Sequence, residues 1–157
     1  GKPWEYDIEE SGFNFRLDEI RSALGLSQMK RLDKSNDLRK KASEYYTSQL
    51  SNVKGIITPI NSKNNENSFH LYIIRITKDF PISRDILFKK LLNKGIRTSV
   101  HYKPLNQFSL FKKMAKSYDK LKISNMLYDE ILSLPMYPTI RKSDQNYVIK
   151  SIKNEII

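Results

Sequence analysis

The stretch that decides the fold of this chain is Gly12-Phe13-Asn14-Phe15-Arg16-Leu17-Asp18-Glu19-Ile20-Arg21-Ser22-Ala23-Leu24-Gly25-Leu26-Ser27-Gln28. It places an asparagine and an arginine, each next to a phenylalanine, directly in front of an amphipathic helix. Amide and guanidinium groups both donate hydrogen bonds, and arginine can donate two in parallel, so this segment is suited to hold oxyanions. The alternative is a purely structural hairpin in which Phe13 and Phe15 pack on a core, because a short motif is only a hypothesis.

Helical periodicity continues beyond this stretch. Ile20 and Leu24 are four residues apart, and acidic residues in the first turn favour a helix start there. A second apolar set has similar spacing and consists of Leu38, Ala42, Tyr45, Tyr46 and Leu50. Because no proline intervenes, we predict a nearly continuous helix to about Leu50, with a break near residues 34–36 as the alternative. Upstream, residues 4–15 are predicted to form a short extended or hairpin segment that turns at Gly12.

The remainder of the chain predicts strands and helices of an α/β domain of the α+β kind. The predicted strands cover residues 53–60, 69–77 and 96–101, and an extended segment covers residues 134–138. Ser83 is predicted to cap a helix over 84–93 that Gly95 ends. Further predicted elements are a polar loop over 61–67, a helix and loop over 106–118, a helix over 123–131, and a last helix capped by Ser143 with Val148, Ile152 and Ile156 on one stripe. The predicted organisation is therefore a hairpin and long helix over residues 1–50, followed by a small α/β domain over residues 51–157.

Composition narrows the class of protein. The 157 residues suffice for a real core, and 39% hydrophobic and 29% charged residues are typical of globular domains. No apolar run is long enough to span a membrane, and the first residues do not resemble a signal peptide, so we expect a cytoplasmic protein without a membrane partner. The absence of cysteine excludes disulfides and thiolate catalysis, and with two histidines no metal site is expected.

The formal net charge of +11 admits two explanations. A concentrated basic surface would indicate nucleic-acid binding. The lysines are instead scattered in pairs such as Lys40-Lys41, Lys89-Lys90 and Lys112-Lys113 along helical patterns. Solvated helix faces are the better explanation, and we expect no nucleic-acid partner.

Four blocks of the sequence, in order, resemble one family. The blocks are Lys2-Pro3-Trp4-Glu5-Tyr6-Asp7-Ile8 with residues 12–28; Ser68-Phe69-His70-Leu71-Tyr72-Ile73-Ile74; Gly95-Ile96-Arg97-Thr98-Ser99-Val100-His101-Tyr102-Lys103-Pro104-Leu105; and Leu132-Ser133-Leu134-Pro135-Met136-Tyr137-Pro138-Thr139 with residues 144–149. Together they are similar to the DegT/DnrJ/EryC1/StrS family of sugar-nucleotide aminotransferases, which use pyridoxal 5'-phosphate (PLP).

The resemblance implies a position within a larger enzyme. The chain is similar to the C-terminal small domain of a fold type I PLP-dependent transferase, preceded by a hairpin and a long connecting helix. The Schiff-base lysine and the large domain are expected upstream of Gly1, since Ser68-Phe69-His70 echoes the lysine-bearing segment but lies in the wrong block. No catalytic residue is therefore expected in this chain, which should be inactive alone. The complete enzyme is expected to be a homodimer with shared active sites.

The resemblance also implies roles for four residues. Asn14 is expected to contact the PLP phosphate of the neighbouring subunit, and Arg16 the phosphates of the nucleotide sugar, also from the opposite subunit. His101 and Tyr102 are expected to line the substrate wall. The structural alternatives are that Asn14 stabilises a turn, that Arg16 forms a surface ion pair, and that His101 has a packing role.

The implied reaction transfers an amino group from glutamate to a nucleotide-linked ketosugar in surface polysaccharide or amino-sugar biosynthesis. The alternative function is a non-catalytic or regulatory module of the same ancestry that binds sugar nucleotides.

Overall fold

A computed structural model of the chain describes residues 2–60, 67–114 and 121–156. The helices are α1 (Glu19–Met29), α2 (Leu32–Leu50), α3 (Arg84–Asn93), α4 (Ser109–Met114), α5 (Lys122–Glu130) and α6 (Lys142–Lys153), with a 3-10 turn at Leu105–Gln107. The strands are β1 (Ile56–Ile57), β2 (Tyr72–Ile76) and β3 (Ile131–Leu134). This order of helices and strands confirms the predicted α/β class.

The strands form one antiparallel sheet in the order β1-β2-β3. Ile74 of β2 lies opposite Leu132 of β3, and Tyr72 lies opposite Leu134. Because side chains alternate between the two faces of a strand, these residues share one face. All four are buried, so this face of the sheet forms the floor of the core.

Helices α2, α3 and α6 cover that face. Their buried apolar residues join those of the sheet in one cluster, which includes Tyr46, Leu50, Leu87, Leu91, Val148, Ile149 and Ile152. The ring of Tyr46 stacks on the ring of Tyr72 with centroids 5.1 Å apart. Both buried hydroxyls are satisfied, since Tyr46 donates to the Pro135 carbonyl at 3.2 Å and Tyr72 pairs with Thr47 at 2.8 Å.

The long helix is broken, and the break differs from both predicted forms. α1 ends at Met29 and α2 starts at Leu32, with Arg31 outside the helical region at φ −122° and ψ 11°. The Arg31 amide bonds the Gln28 carbonyl at 3.1 Å, and the Arg31 side chain bonds the Gln28 side chain at 3.1 Å. These local bonds close α1 with a turn, so a helix can end without proline or glycine.

Of the two forms predicted for residues 4–15, the hairpin is wrong. Residues 2–18 contain no strand, and Gly12 adopts no conformation that requires glycine. Instead, residues 2–8 lie as a strap against α3 and α4, as shown below. The hydrogen bonds that a hairpin would make locally are made with residues about a hundred positions away.

Three further predictions need correction. Residues 96–101 form no strand apart from a single bridge between Ser99 and Ser133. The predicted last helix is α6, but its N-cap is Arg141, because Ser143 already lies inside the first turn. The helix predicted over 123–131 ends at Glu130, and Ile131 opens β3.

The helix over Arg84–Asn93, its Ser83 cap and the Gly95 stop at φ +75° are confirmed. Residues 61–66 of the predicted polar loop and residues 115–118 of the predicted helix and loop lie outside the described residues. Within the described ranges, no helix has the length and apolarity needed to cross a membrane.

Candidate functional site

Asn14 and Arg16 lie on an exposed segment in front of α1. Across the described ranges, neither side chain has a hydrogen-bond partner. The amide of Phe15 bonds the carbonyl of Phe13 at 3.1 Å, which places Asn14 at the centre of a three-residue turn. The amide and the guanidinium are therefore available to an external anion.

Phe13 and Phe15 do not pack on the core. They are 86% and 83% exposed, and their rings contact each other edge to face with centroids 6.2 Å apart. The structural alternative for this segment, in which both rings are buried in a core, is therefore not seen in this chain. Asp18 accepts from the Arg21 amide at 2.8 Å and caps α1, so the segment ends in a defined helix start.

The apolar surface continues along α1, which has no buried residue. The exposed large apolar side chains of this region are Leu17, Ile20, Leu24, Leu26, Met29 and Leu32. So many exposed large apolar side chains on one short segment favour an interaction surface over a solvated one.

The strap over residues 2–8 anchors this segment to the domain. Trp4 packs on Phe88 of α3 with ring centroids 4.2 Å apart, and the guanidinium of Arg84 lies 5.1 Å from the Trp4 ring. Lys2 pairs with Asp85 at 2.6 Å. Arg84 is buried, donates to Asp85 and to the Ile131 carbonyl, both at 2.7 Å, and so ties strap, α3 and β3 together.

A second set of strap contacts reaches the loop that follows His101 and Tyr102. The carboxylate of Asp7 accepts from the Ser109 amide at 2.8 Å and from the Ser109 hydroxyl. The Ile8 carbonyl accepts from the Leu110 amide at 2.8 Å, and Tyr6 packs on Phe108 at 5.3 Å. The two hydrogen bonds from Ser109 lower the pKa of Asp7 to about 2. Asp7 therefore caps α4 from outside its own sequence neighbourhood.

His101 is half-buried, and its Nδ1 lies 2.9 Å from the hydroxyl of Ser133. Burial lowers the pKa of His101, and the charge of His70 lowers it further. The ring of Tyr102 meets the His101 ring edge to face at 4.8 Å and is largely exposed. The peptide bond between the two is cis. These two predicted site residues, which are consecutive in the sequence, therefore also have their rings in contact.

Ser133 is the site residue that sequence reasoning missed. It is buried on β3, pairs with Ile73 of β2, and exchanges backbone hydrogen bonds with Ser99 at 2.8 and 3.2 Å. Alternation along the strand points its hydroxyl away from the face that carries Leu132 and Leu134. The alternation of Leu132, Ser133 and Leu134 was the available signal, since it sets a polar residue on the opposite face.

The two pairs of predicted site residues remain separate within this chain. No hydrogen bond or ring contact between described residues joins Asn14 or Arg16 to His101 or Tyr102. A cleft of about 420 Å³ lies against the start of α6 and is lined by other residues, including Arg97, Tyr137 and Tyr147. The described part of the chain also has no group of three acidic or histidine side chains that could hold a metal ion. The candidate site residues of this chain thus form two separate groups, here called walls: the Asn14–Arg16 segment and the His101–Tyr102 loop.

Comparison with known proteins gives consistent results. The model of the DegT/DnrJ/EryC1/StrS aminotransferase family matches residues 2–153. A Campylobacter jejuni protein, UDP-4-amino-4,6-dideoxy-N-acetyl-beta-L-altrosamine transaminase, is 32% identical over 145 residues, which cover 92% of this chain and 38% of that protein.

Solved structures agree. Helicobacter pylori PseC, an aminotransferase involved in the biosynthesis of pseudoaminic acid, is 27% identical with a TM-score of 0.80, over 99% of this chain and 42% of its own. The PLP form of a protein described as a sugar aminotransferase, from Streptococcus pneumoniae, is 26% identical with a TM-score of 0.80, over 97% of this chain and 39% of its own. The chain therefore spans about two fifths of the length of these relatives.

Proposed function

This chain belongs to the DegT/DnrJ/EryC1/StrS aminotransferase family, and from that premise we propose that it is the small-domain part of a PLP-dependent sugar aminotransferase. The complete protein transfers an amino group from glutamate to a nucleotide-linked ketosugar in the cytoplasm, in the synthesis of amino sugars or surface polysaccharides. Named relatives that carry out such transaminations on nucleotide sugars, and the PLP form of a similar structure, support the proposal.

The donor chemistry of this chain fits one part of the cofactor. A PLP phosphate is a dianion that needs hydrogen-bond donors, and Asn14 offers a neutral amide on an exposed turn. Bound PLP supplies an electron sink for the reaction and carries the amino group from one substrate to the other. The remaining wall of the cofactor site, with the lysine that holds PLP, belongs to the large domain in this proposal. The 157-residue chain alone is therefore inactive.

Arg16 and the pair His101–Tyr102 bind the sugar nucleotide from two sides in this proposal. The guanidinium of Arg16 pairs with a phosphate of the nucleotide, because its fork matches two oxygens at once. His101 is held by Ser133 and has a lowered pKa, so its imidazole is neutral near neutral pH and donates or accepts one hydrogen bond at the sugar. Tyr102 presents an exposed ring and hydroxyl beside it.

The apolar surface formed by Phe13, Phe15 and α1 carries the dimer part of the proposal. These side chains are exposed within the described chain, and leaving so many large apolar groups in water is unfavourable. A second subunit and the large domain would cover it. Asn14 and Arg16 would then lie at the subunit boundary and enter the neighbouring active site.

The single observation that carries the proposal is the family match over residues 2–153. The direct experiment supplies purified full-length protein with PLP, glutamate and nucleotide-linked 4-keto and 3-keto sugars. Mass spectrometry should detect the amino sugar, in which the ketone oxygen is replaced by an amine and a hydrogen, together with 2-oxoglutarate. Binding of the sugar nucleotide without PLP binding or transfer would instead support a non-catalytic module.

A further inference from the structure

In the proposed dimer, the strap connects two walls on the same chain, and these bind sugar nucleotide in the two neighbouring active sites. Residues 9–17, which carry Asn14 and Arg16, make few contacts with the domain, and residues 101–110 carry the other wall. Between them, the strap contacts Lys103, Phe108, Ser109 and Leu110. Lys103 directly follows Tyr102, and its ammonium donates to the Tyr6 carbonyl at 3.3 Å.

Asp7 makes the most specific of these contacts. Its carboxylate holds both the amide and the hydroxyl of Ser109, and the same side chain accepts from the Ile8 amide at 2.9 Å. The α4 amide that it caps has no partner within its own helix, so loss of the carboxylate leaves a donor unsatisfied. The adjacent bond from the Leu110 amide to the Ile8 carbonyl is held in register by this cap.

We propose that Asp7 is a positioning residue that fixes the Asn14–Arg16 segment relative to the His101–Tyr102 loop. The inference rests on the proposed function, since it assigns both walls to sugar-nucleotide binding. Asn14 lies seven positions after Asp7, and an extended chain over seven positions spans at most roughly 25 Å. Anchoring Asp7 therefore limits the volume that Asn14 can explore, whereas a free strap would let the segment swing with residues 2–8.

The geometry also explains why a carboxylate suits this position. A cap that accepts two hydrogen bonds from one residue fixes direction as well as distance, and the lysine at 103 adds a favourable charge nearby. Trp4 and Lys2 hold the start of the strap on α3 through separate contacts. Removing Asp7 should therefore release residues 6–17 and leave the domain core folded.

The test compares Asp7→Ala, Asp7→Asn and Asp144→Ala in the full-length protein. Asp144 is a matched control, because it is also an exposed carboxylate near a helix start but pairs with Arg141 and does not touch the strap. We expect Asp7→Ala to raise KM for the sugar nucleotide about fivefold, the equivalent of one lost cap. Asn keeps the acceptor for the Ser109 amide, so Asp7→Asn should restore most of the affinity, and Asp144→Ala should leave KM unchanged.

Hydrogen exchange supplies a readout that does not depend on activity. Asp7→Ala should increase deuterium uptake in both segment 9–17 and segment 101–110, while Asp144→Ala should change neither. Uptake that rises in only one of the two segments, or an unchanged KM, overturns the positioning role. If the wild-type protein transfers no amino group but Asp7→Ala still increases exchange in both segments, the proposed function fails while the positioning role of Asp7 stands.

Discussion

His101 and Ser133 lie 32 positions apart in sequence, and the Nδ1 of His101 lies 2.9 Å from the Ser133 hydroxyl. Ser133 is buried on β3, which pairs with the central strand β2, so its backbone position is fixed by the sheet. The position of the His101 ring, which lies on a loop, is thereby tied to a strand of the sheet. Orientation of a binding side chain by a rigid element is what sites of this kind require.

Replacing Ser133 by alanine should weaken this orientation without unfolding the domain. The lost hydrogen bond corresponds to about 1 kcal/mol, or about a fivefold rise in KM for the sugar nucleotide. Ser151→Ala is the matched control, because Ser151 is equally buried but lies on α6. Steady-state kinetics of both variants in the full-length protein decide the point. Equal effects of the two substitutions would show that His101 does not depend on Ser133.

The lowered pKa of His101 predicts a direction for its pH dependence. Burial is the main cause, followed by the charge of His70, so the folded state favours the neutral ring below the ordinary value of 6.5. Between the lowered value and 6.5, the unfolded chain binds a proton that the folded chain does not, so stability falls as pH falls through this window. Thermal unfolding should show this loss in wild type and lack it in His101→Gln. An NMR titration that places His101 above 6.5 would contradict the assignment.

Arg16→Ala should weaken binding of the nucleotide sugar strongly. Hydrogen bonds to charged groups contribute about 1.5–3 kcal/mol, so Kd should rise by about one to two orders of magnitude. Arg141→Ala is the control, because Arg141 is also exposed but pairs with Asp144 on α6. Isothermal titration calorimetry on the full-length protein measures both. An unchanged Kd for Arg16→Ala would remove Arg16 from the site.

The lowered pKa of Asp7 predicts a separate effect on stability at low pH. Its pKa is lowered to about 2 by the hydrogen bonds from Ser109, against an ordinary value of 3.8. The contribution to stability is therefore complete above 3.8 and is lost as pH falls toward 2. The difference in Tm between wild type and Asp7→Asn should be larger at pH 5 than at pH 3, since Asn has no charge to lose. A difference independent of pH would mean that the carboxylate charge is not used.

Local signals in the sequence predicted local structure well. The helix over Arg84–Asn93 was predicted with its cap and its stop, because Ser83 and Gly95 act within one turn of the helix ends. The strand predicted over residues 69–77 contains β2, although β2 covers only Tyr72–Ile76.

The errors have a common physical cause. Residues 4–15 have the composition of a hairpin, but Asp7 and Ile8 bond Ser109 and Leu110, which no local pattern reveals. The break after α1 has no helix breaker and is closed by a backbone and a side-chain bond between Arg31 and Gln28. Asn14, Arg16, His101 and Tyr102 could be proposed from the sequence because they lie in recognisable blocks, whereas the contacts of Ser133 and Asp7 join residues distant in sequence.

The most direct test of the central proposal uses mixed dimers of the full-length protein. One subunit lacks the lysine that holds PLP, and the other carries both Asn14→Ala and Arg16→Ala. If these side chains enter the neighbouring active site, the mixed dimer contains one site with an intact lysine and intact Asn14 and Arg16. We predict that mixing two inactive variants restores up to half of the activity per dimer. If the mixture remains as inactive as its components, Asn14 and Arg16 do not act across a subunit boundary and the account is wrong.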